Sequence, residues 1–452
     1  MKSVPSTASG IRRRLSPTGL LMAALFAVCP PGVMAEGGAD EVSRAQLLQI
    51  IQRLEQRVEQ LERQQATPAA AASPADVQAQ QQKQQQLEQQ IATQQAQIEA
   101  LADAQEAGGS SWADRTSLAG YGELHYNHLE AESSANDLDQ IDFHRFVLFI
   151  GHEFNEDIRL FTELEVEHAL AGESKPGEVE LEQAYIEFDL FSDQAAARAG
   201  LFLLPVGILN ETHEPNTFYG VERNDVESII IPSTWWAGGA GYTHRFNNGL
   251  QWDIALHEGL AMPTTGGSAF RIRSGRQKTA EASSEDLAVT GRLKYTGIPG
   301  VEVAGSISHQ KDPSQASGDG LDRGTLYEAH VALQRGPFGL RALYAKWDLD
   351  INESIALANG VAQTTLDRAD DQQGWYIEPS WKFVDEFGIY ARYEDIESAR
   401  EQDNFDQWEA GFNYWPHPNV VLKADYRVRD HDIATSRDRD FDGFDLGVGY
   451  QF

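Results

Sequence analysis

The chain has 452 residues, with 36 Lys+Arg against 69 Asp+Glu, a formal net charge of −33. So strong an acidic excess excludes a nucleic-acid binder, which needs a basic face against phosphate. After residue 35 no apolar run reaches the roughly 20 residues of a membrane-spanning helix. Aromatics at 10% and 39 glycines are too many for a disordered acidic chain and suit a large β protein with a polar interior.

In chain order, Lys2 and Arg12-Arg13-Arg14 form a basic start, Leu20 to Val28 an apolar stretch, and Val33-Met34-Ala35 a run of small residues at the usual cleavage offsets. This predicts a secretory signal peptide over 1–35, cut before Glu36. The single cysteine, Cys29, raises a lipoprotein alternative, disfavoured because Val28 is bulky where a lipobox wants a small residue. Cleavage at Ala35 leaves no cysteine, so the exported chain cannot mispair in an oxidising compartment.

From Leu47 the apolar residues step by four and three: Leu47, Ile51, Leu54, Val58, Leu61. That spacing predicts a left-handed coiled coil within 36–110. Ile and Val at a with Leu at d lean towards a dimer. Arg57-Val58-Glu59-Gln60-Leu61-Glu62 resembles the short trimerisation motif of coiled coils, in which Arg57 would pair across the seam with Glu62, and that resemblance implies a homotrimer. Ala66 to Asp76 is an Ala/Pro linker, and a second Gln-rich stretch places Leu87, Ile91, Ile98 and Leu101 at heptad positions, with Gln94 spoiling one d. Coils this short are marginal alone, so a larger element must hold the chains together.

From Thr116 the period becomes 2. Leu118, Gly120, Gly122, Leu124 and Tyr126 alternate with Tyr121, Glu123, His125 and Asn127; Ile158, Leu160, Leu164 and Val166 alternate with Arg159, Glu163, Glu165 and Glu167. Repeated in segments of about ten residues, this alternation predicts a transmembrane β-barrel over 111–452. Seven short turns (near Asn155, Phe191, Asn247, Gly297, Gly336, Asp385 and Trp415) alternate with eight long polar loops (129–139, 170–178, 209–235, 260–284, 311–323, 350–373, 397–404 and 430–440). That count implies 16 antiparallel strands, with short turns in the periplasm and long loops outside the cell. Trp347, Trp375, Trp381, Tyr393, Trp408 and Tyr414 are expected in the aromatic girdles that meet outer-membrane lipid.

Phe444, Leu446, Val448, Tyr450 and the terminal Phe452 are apolar at every second position. An aromatic end of this kind resembles the signal read by the outer-membrane barrel assembly machinery, with Tyr450 and Phe452 as its key residues. Together with Ala199 to Gly207 (AGLFLLPVG), a strand leading into a long third loop, the chain resembles bacterial porins of the phosphate-selective O and P kind. The resemblance implies a trimer of water-filled pores in the outer membrane of a Gram-negative bacterium, a coiled coil in the periplasm and a third loop folded inward. Small hydrophilic, including anionic, solutes would diffuse through.

Strand parity points Glu163, Glu165, Glu167, Tyr185, Glu187 and Asp189 into the lumen on one wall, and Arg292, Lys294, Lys382, Arg392, Lys423, Arg427 and Arg429 on another. A midplane Arg or Lys facing lipid would cost about 2–4 kcal/mol, so these bases belong inside. The third loop, about Asn210 to Trp235, carries the apolar run Ile229-Ile230-Ile231-Pro232. Packing that run on an inner wall would bring Glu211, Glu214, Glu222 and Asp225 near the basic strands. Against anion preference, 27 basic and 58 acidic residues from Ser111 onward leave a net charge of −31, much of it in outer loops where it repels anions.

Asp438 to Gly443 starts like a calcium loop but lacks the Glu expected at the twelfth position, where Gly449 stands. His125 and His128 fall on opposite strand faces, and His168, His213, His244, His257 and His309 are scattered near loop ends; a zinc site assembled from several of these has no support in their spacing, so no metal site and no cofactor is expected. No nucleophile elbow, P-loop or dinucleotide fingerprint occurs, so an enzyme is not expected. The competing function is a structural or adhesive protein that tethers the membrane through its coiled coil.

Overall fold

The computed structural model describes residues 112–191, 194–316 and 318–452. The signal-peptide and coiled-coil expectations, with Arg57, Val58, Leu61 and Glu62, lie outside the described residues. Sixteen strands close into one antiparallel barrel. They are β1 Thr116–Ala131, β2 Leu138–Asn155, β3 Ile158–Glu167, β4 Val179–Leu190, β5 Ala195–Leu203, β6 Trp236–Arg245, β7 Leu250–His257 and β8 Ala288–Ile298. The second half comprises β9 Val301–Gln310, β10 Leu321–Arg335, β11 Phe338–Ile351, β12 Asp371–Val384, β13 Phe387–Glu397, β14 Phe405–His417, β15 Val420–His431 and β16 Phe441–Gln451.

The turn and loop sequence follows the predicted alternation. The long connections are L1 (132–137), L2 (168–178), L3 (204–235), L4 (258–287), L5 (311–320), L6 (352–370), L7 (398–404) and L8 (432–440). L6 carries two short helices, α1 Glu353–Ala358 and α2 Gln363–Ala369. At the opposite end Gly249 holds a tight turn with φ +84°, where an added Cβ would lie 2.3 Å from the Gly297 backbone.

The period-2 pattern sorts faces as expected. Leu118, Leu124, Trp375, Trp381 and Trp408 are exposed outward, whereas Tyr121, Glu123, His125 and Asn127 are buried inside. Trp347 corrects the girdle assignment. Its parity on β11 matches buried Leu343, Ala345 and Leu349, and its indole donates to the Ile230 carbonyl of L3 at 2.8 Å.

The barrel closes where β16 meets β1. The Phe452 amide donates to the Gly120 carbonyl at 2.9 Å, and the Gly120 amide donates to the Phe452 carbonyl at 3.0 Å. Glycine at 120 and 122 is required by close approach. A Cβ at Gly120 would stand 2.9 Å from the Phe452 ring, and one at Gly122 2.6 Å from the Tyr450 hydroxyl. The two terminal aromatics therefore lie over bare backbone on the neighbouring strand.

Candidate functional site: a loop-lined lumen

L3 folds inward because its sequence gives it an apolar run to bury and polar groups to anchor it. Val226, Ile230 and Ile231 have no exposed surface and join a core with Trp347, Tyr376, Ile396 and Phe405 on the inner wall. Each such side chain contributes about 1.5–3 kcal/mol by leaving water. Gly374 on β12 leaves the room, since a Cβ there would meet Ile230 and Val226 at 3.1 and 3.3 Å. Asn210 ties the neck of the loop: its Nδ2 donates to the carbonyls of Leu204 (2.8 Å) and Trp235 (3.1 Å), and its Oδ1 accepts from the Trp235 amide (2.6 Å). Buried Glu227 accepts from the amides of Ile208 and Leu209 (2.6 Å each), Asn224 Nδ2 (3.1 Å) and the Tyr376 hydroxyl (2.9 Å). Sequence parity could not find Glu227, because a loop has no period.

L3 also descends further than a rim constriction requires. Asn216 Nδ2 donates to the Pro418 carbonyl in the β14–β15 turn at 3.2 Å. Tyr219 packs on Tyr390 and Trp415, with centroids 5.4 and 5.7 Å away. A cavity of about 360 Å³ beside it is lined by Tyr219, Glu302, Arg341 and Glu378.

The predicted basic residues lie on the lumen side, and most are met by carboxylates. Arg292 pairs with Asp253 at 2.9 Å and with Glu211 of L3. Arg392 is 2% exposed and pairs with Glu409 (2.5 Å) and Glu378 (3.2 Å). Arg427 pairs with Asp445 at 2.5 Å and Arg429 with Asp225 of L3. Lys423 donates to the Gly220 carbonyl at 2.8 Å, Lys382 lies 4.3 Å from the Trp415 ring centroid, and Lys294 is half-buried. The basic wall is therefore corrected to a mixed one. Glu378, Glu394 and Asp425 are buried on the same strands, and Asp253, Glu409 and Asp445 on the strands beside them, because an inward position is free to carry either sign.

On the acidic wall, Glu163 and Glu165 are buried, Glu167 is half-buried, and Tyr185 packs against the L3 core. Glu187 and Asp189 both pair with Arg159. A bulge opposite Glu163 inserts an extra residue in β4, so Gln183 and Glu182 are both buried. Parity counted from Tyr185 missed Glu182 for that reason. In L3, Glu222 meets His125 and Asn127 of β1, each at 3.0 Å; the Glu214 carbonyl accepts from Thr217 within the loop.

Three arginines were not legible as lumen residues: Arg223 of L3 and Arg273 and Arg276 of L4. Arg223 donates to the Thr234 hydroxyl (3.4 Å) and the His213 carbonyl (3.3 Å). Arg273 donates to the carbonyls of Ser228 (3.2 Å) and Ser233 (2.5 Å), and Arg276 to that of Thr234 (2.6 Å). Among the described residues none of the three lies within 4.0 Å of a carboxylate oxygen. Arg273 is held below its ordinary pKa, first by desolvation and then by the like charges of Arg276, Arg223 and Arg145. Glu180 and Glu182 of the acidic wall act on Arg276 from across.

Two of the five scattered histidines meet carboxylates. His213 lies 3.3 Å from Glu163 and 3.6 Å from Glu182, and His168 joins Asp142 and His144. His257 and His309 instead bond Thr290 and Thr325, and His244 packs on Tyr242 and Trp252.

A closed 16-strand barrel with an apolar belt, a polar lumen and an inward loop defines a membrane channel. Residues 118–452 match the sequence model of phosphate-selective porin O and P, and the chain belongs to that family. It is an outer-membrane porin, a diffusion channel for small hydrophilic solutes. An uncharacterized protein of Aquifex aeolicus (strain VF5) is 30% identical over 363 residues, covering 72% of this chain and 77% of that protein. The fold is similar to that of an anion-selective porin from Comamonas acidovorans, at 10% identity and a TM-score of 0.52, covering 75% of this chain and 99% of that one. It is also similar to Salmonella typhi OmpF, at 16% identity and a TM-score of 0.51, covering 75% and 97%.

Proposed function

We propose that the pore prefers anions, and that the preference arises at Arg223, Arg273 and Arg276 where L3 and L4 meet. The observation that carries this is their bonding to uncharged oxygens only. The charges of Arg292, Arg392, Arg427 and Arg429 are already met by carboxylates and contribute little net field. An anion at the loop arginines exchanges water for guanidinium hydrogen bonds, one weak site at a time, so that it enters and leaves. The acidic outer loops oppose this at the mouth, over a distance that salt shortens, while the arginines act where L3 and L4 meet. Phosphate is one anion that such a cluster accommodates bidentately.

The test replaces Arg273 and Arg276 together by Ala and measures reversal potential across a bilayer in a KCl gradient. The expected result is a shift towards cation preference, reversed in part by Lys at both positions. An unchanged potential, with unchanged conductance, would reduce these arginines to ties between L4 and L3. Three barrels assembled through the segment 36–110 in the periplasm, and insertion directed by Tyr450 and Phe452, complete the proposal.

A further inference from the structure

We propose a binding site for an imidazole-preferring divalent transition metal, of the zinc class, formed by Asp142, His144 and His168 near the long-loop end of the lumen. The register of β2 against β1 shifts between Glu123 and His125, and this irregularity turns His144 inward beside Arg145. There its ring stacks on His125, with centroids 4.6 Å apart and planes within 13°. His168, the first residue of L2, is anchored by its amide to the His144 carbonyl at 3.1 Å. Its ring stands edge-on to that of His144, 5.7 Å away at 87°.

The three donors converge on one point. His144 Nδ1 and His168 Nδ1 lie 3.2 and 2.8 Å from the same oxygen, Asp142 Oδ2, and one ligand atom from each residue falls within 4.8 Å of the others. Tetrahedral zinc with bonds of about 2.0–2.1 Å separates its ligand atoms by about 3.3 Å, so small rotations would complete the set. Two imidazoles and one carboxylate leave a fourth position for water. The side chains of Asp142, His144 and His168 keep 16%, 27% and 33% of their surface, so that position is open to solvent. Imidazole nitrogens favour zinc, copper or nickel over the all-oxygen coordination of calcium and magnesium. Behind His144, His125 meets Glu222 of L3 at 3.0 Å, so a bound ion would hold the wall against the constricting loop and add positive charge beside Arg145.

The experiment titrates zinc chloride into the whole protein in detergent by calorimetry, with magnesium and calcium chloride as comparisons. One saturable zinc site per chain is expected, with affinity at least about tenfold weaker after His168→Ala or Asp142→Asn. His168 lies in a loop, and heat-modifiable migration in a gel would confirm that its variant barrel is folded. Zinc on the long-loop side should change single-channel conductance in the native protein and not in His168→Ala. Absence of saturable zinc binding, or binding unchanged in His168→Ala, would overturn the site. Binding lost in His213→Ala but kept in His168→Ala would place the ion at Glu163, Glu182 and His213 and overturn it equally.

Discussion

At the scale of single residues, Glu227 shows how one side chain sets the course of a loop. Four buried donors end on its carboxylate, and a buried donor left without an acceptor costs about 1–3 kcal/mol. Glu227→Ala should therefore loosen L3 while leaving the barrel assembled, giving a larger and noisier single-channel current. Glu227→Gln keeps one acceptor oxygen and should fall between. A current indistinguishable from the native one in Glu227→Ala would show that the apolar contacts of Ile230 and Ile231 hold the loop unaided. The lumen bases teach a related lesson. Parity found Arg392 and Arg427, but their charge is spent on Glu409 and Asp445, whereas Arg273 and Arg276 lie in a loop that parity cannot read.

At the scale of elements, β16 carries both the closing seam of the barrel and a pattern of its own. Tyr450 of β16 covers Gly122 and Phe452, the residue after the strand, covers Gly120, where its peptide groups extend the ladder to β1. Removing Phe452 deletes two hydrogen bonds at the seam and the ring over Gly120. Such a variant should give less folded barrel in the membrane, measured by heat-modifiable migration, while any inserted channel conducts as before. Normal levels with altered conductance would contradict the assignment. The wall behind L3 was less legible: Trp347 resembles a girdle residue until the register of β11 places it opposite Ile230.

At the scale of the whole molecule, the two halves of the sequence ask for different partners. The heptad spacing around Val58 and Leu61 predicts self-association, and the barrel needs a membrane. We expect a trimer in detergent, and deletion of 36–110 should lower the trimer fraction without preventing barrel insertion. Sizing that returns only monomers of the full chain would reject the trimer. Loss of insertion in the deleted form would show that the segment does more than hold copies together.

The amino-acid sequence by itself determined the strand number, the alternation of short turns and long loops, most of the membrane-facing surface and the inward turn of L3. These follow from local rules: a period of 2 on a pleated strand, turn residues at fixed intervals, and an apolar run that must leave water. Only the tertiary structure decided which charges remain unpaired, because pairing depends on residues brought together from far along the chain. Arg429 meets Asp225 across 204 positions, and Asn127 meets Asp445 across 318. Two bulges, in β2 and β4, further turned His144 and Glu182 inward against the count. One added residue reverses the facing of all that follow it, and no periodicity can announce where it falls.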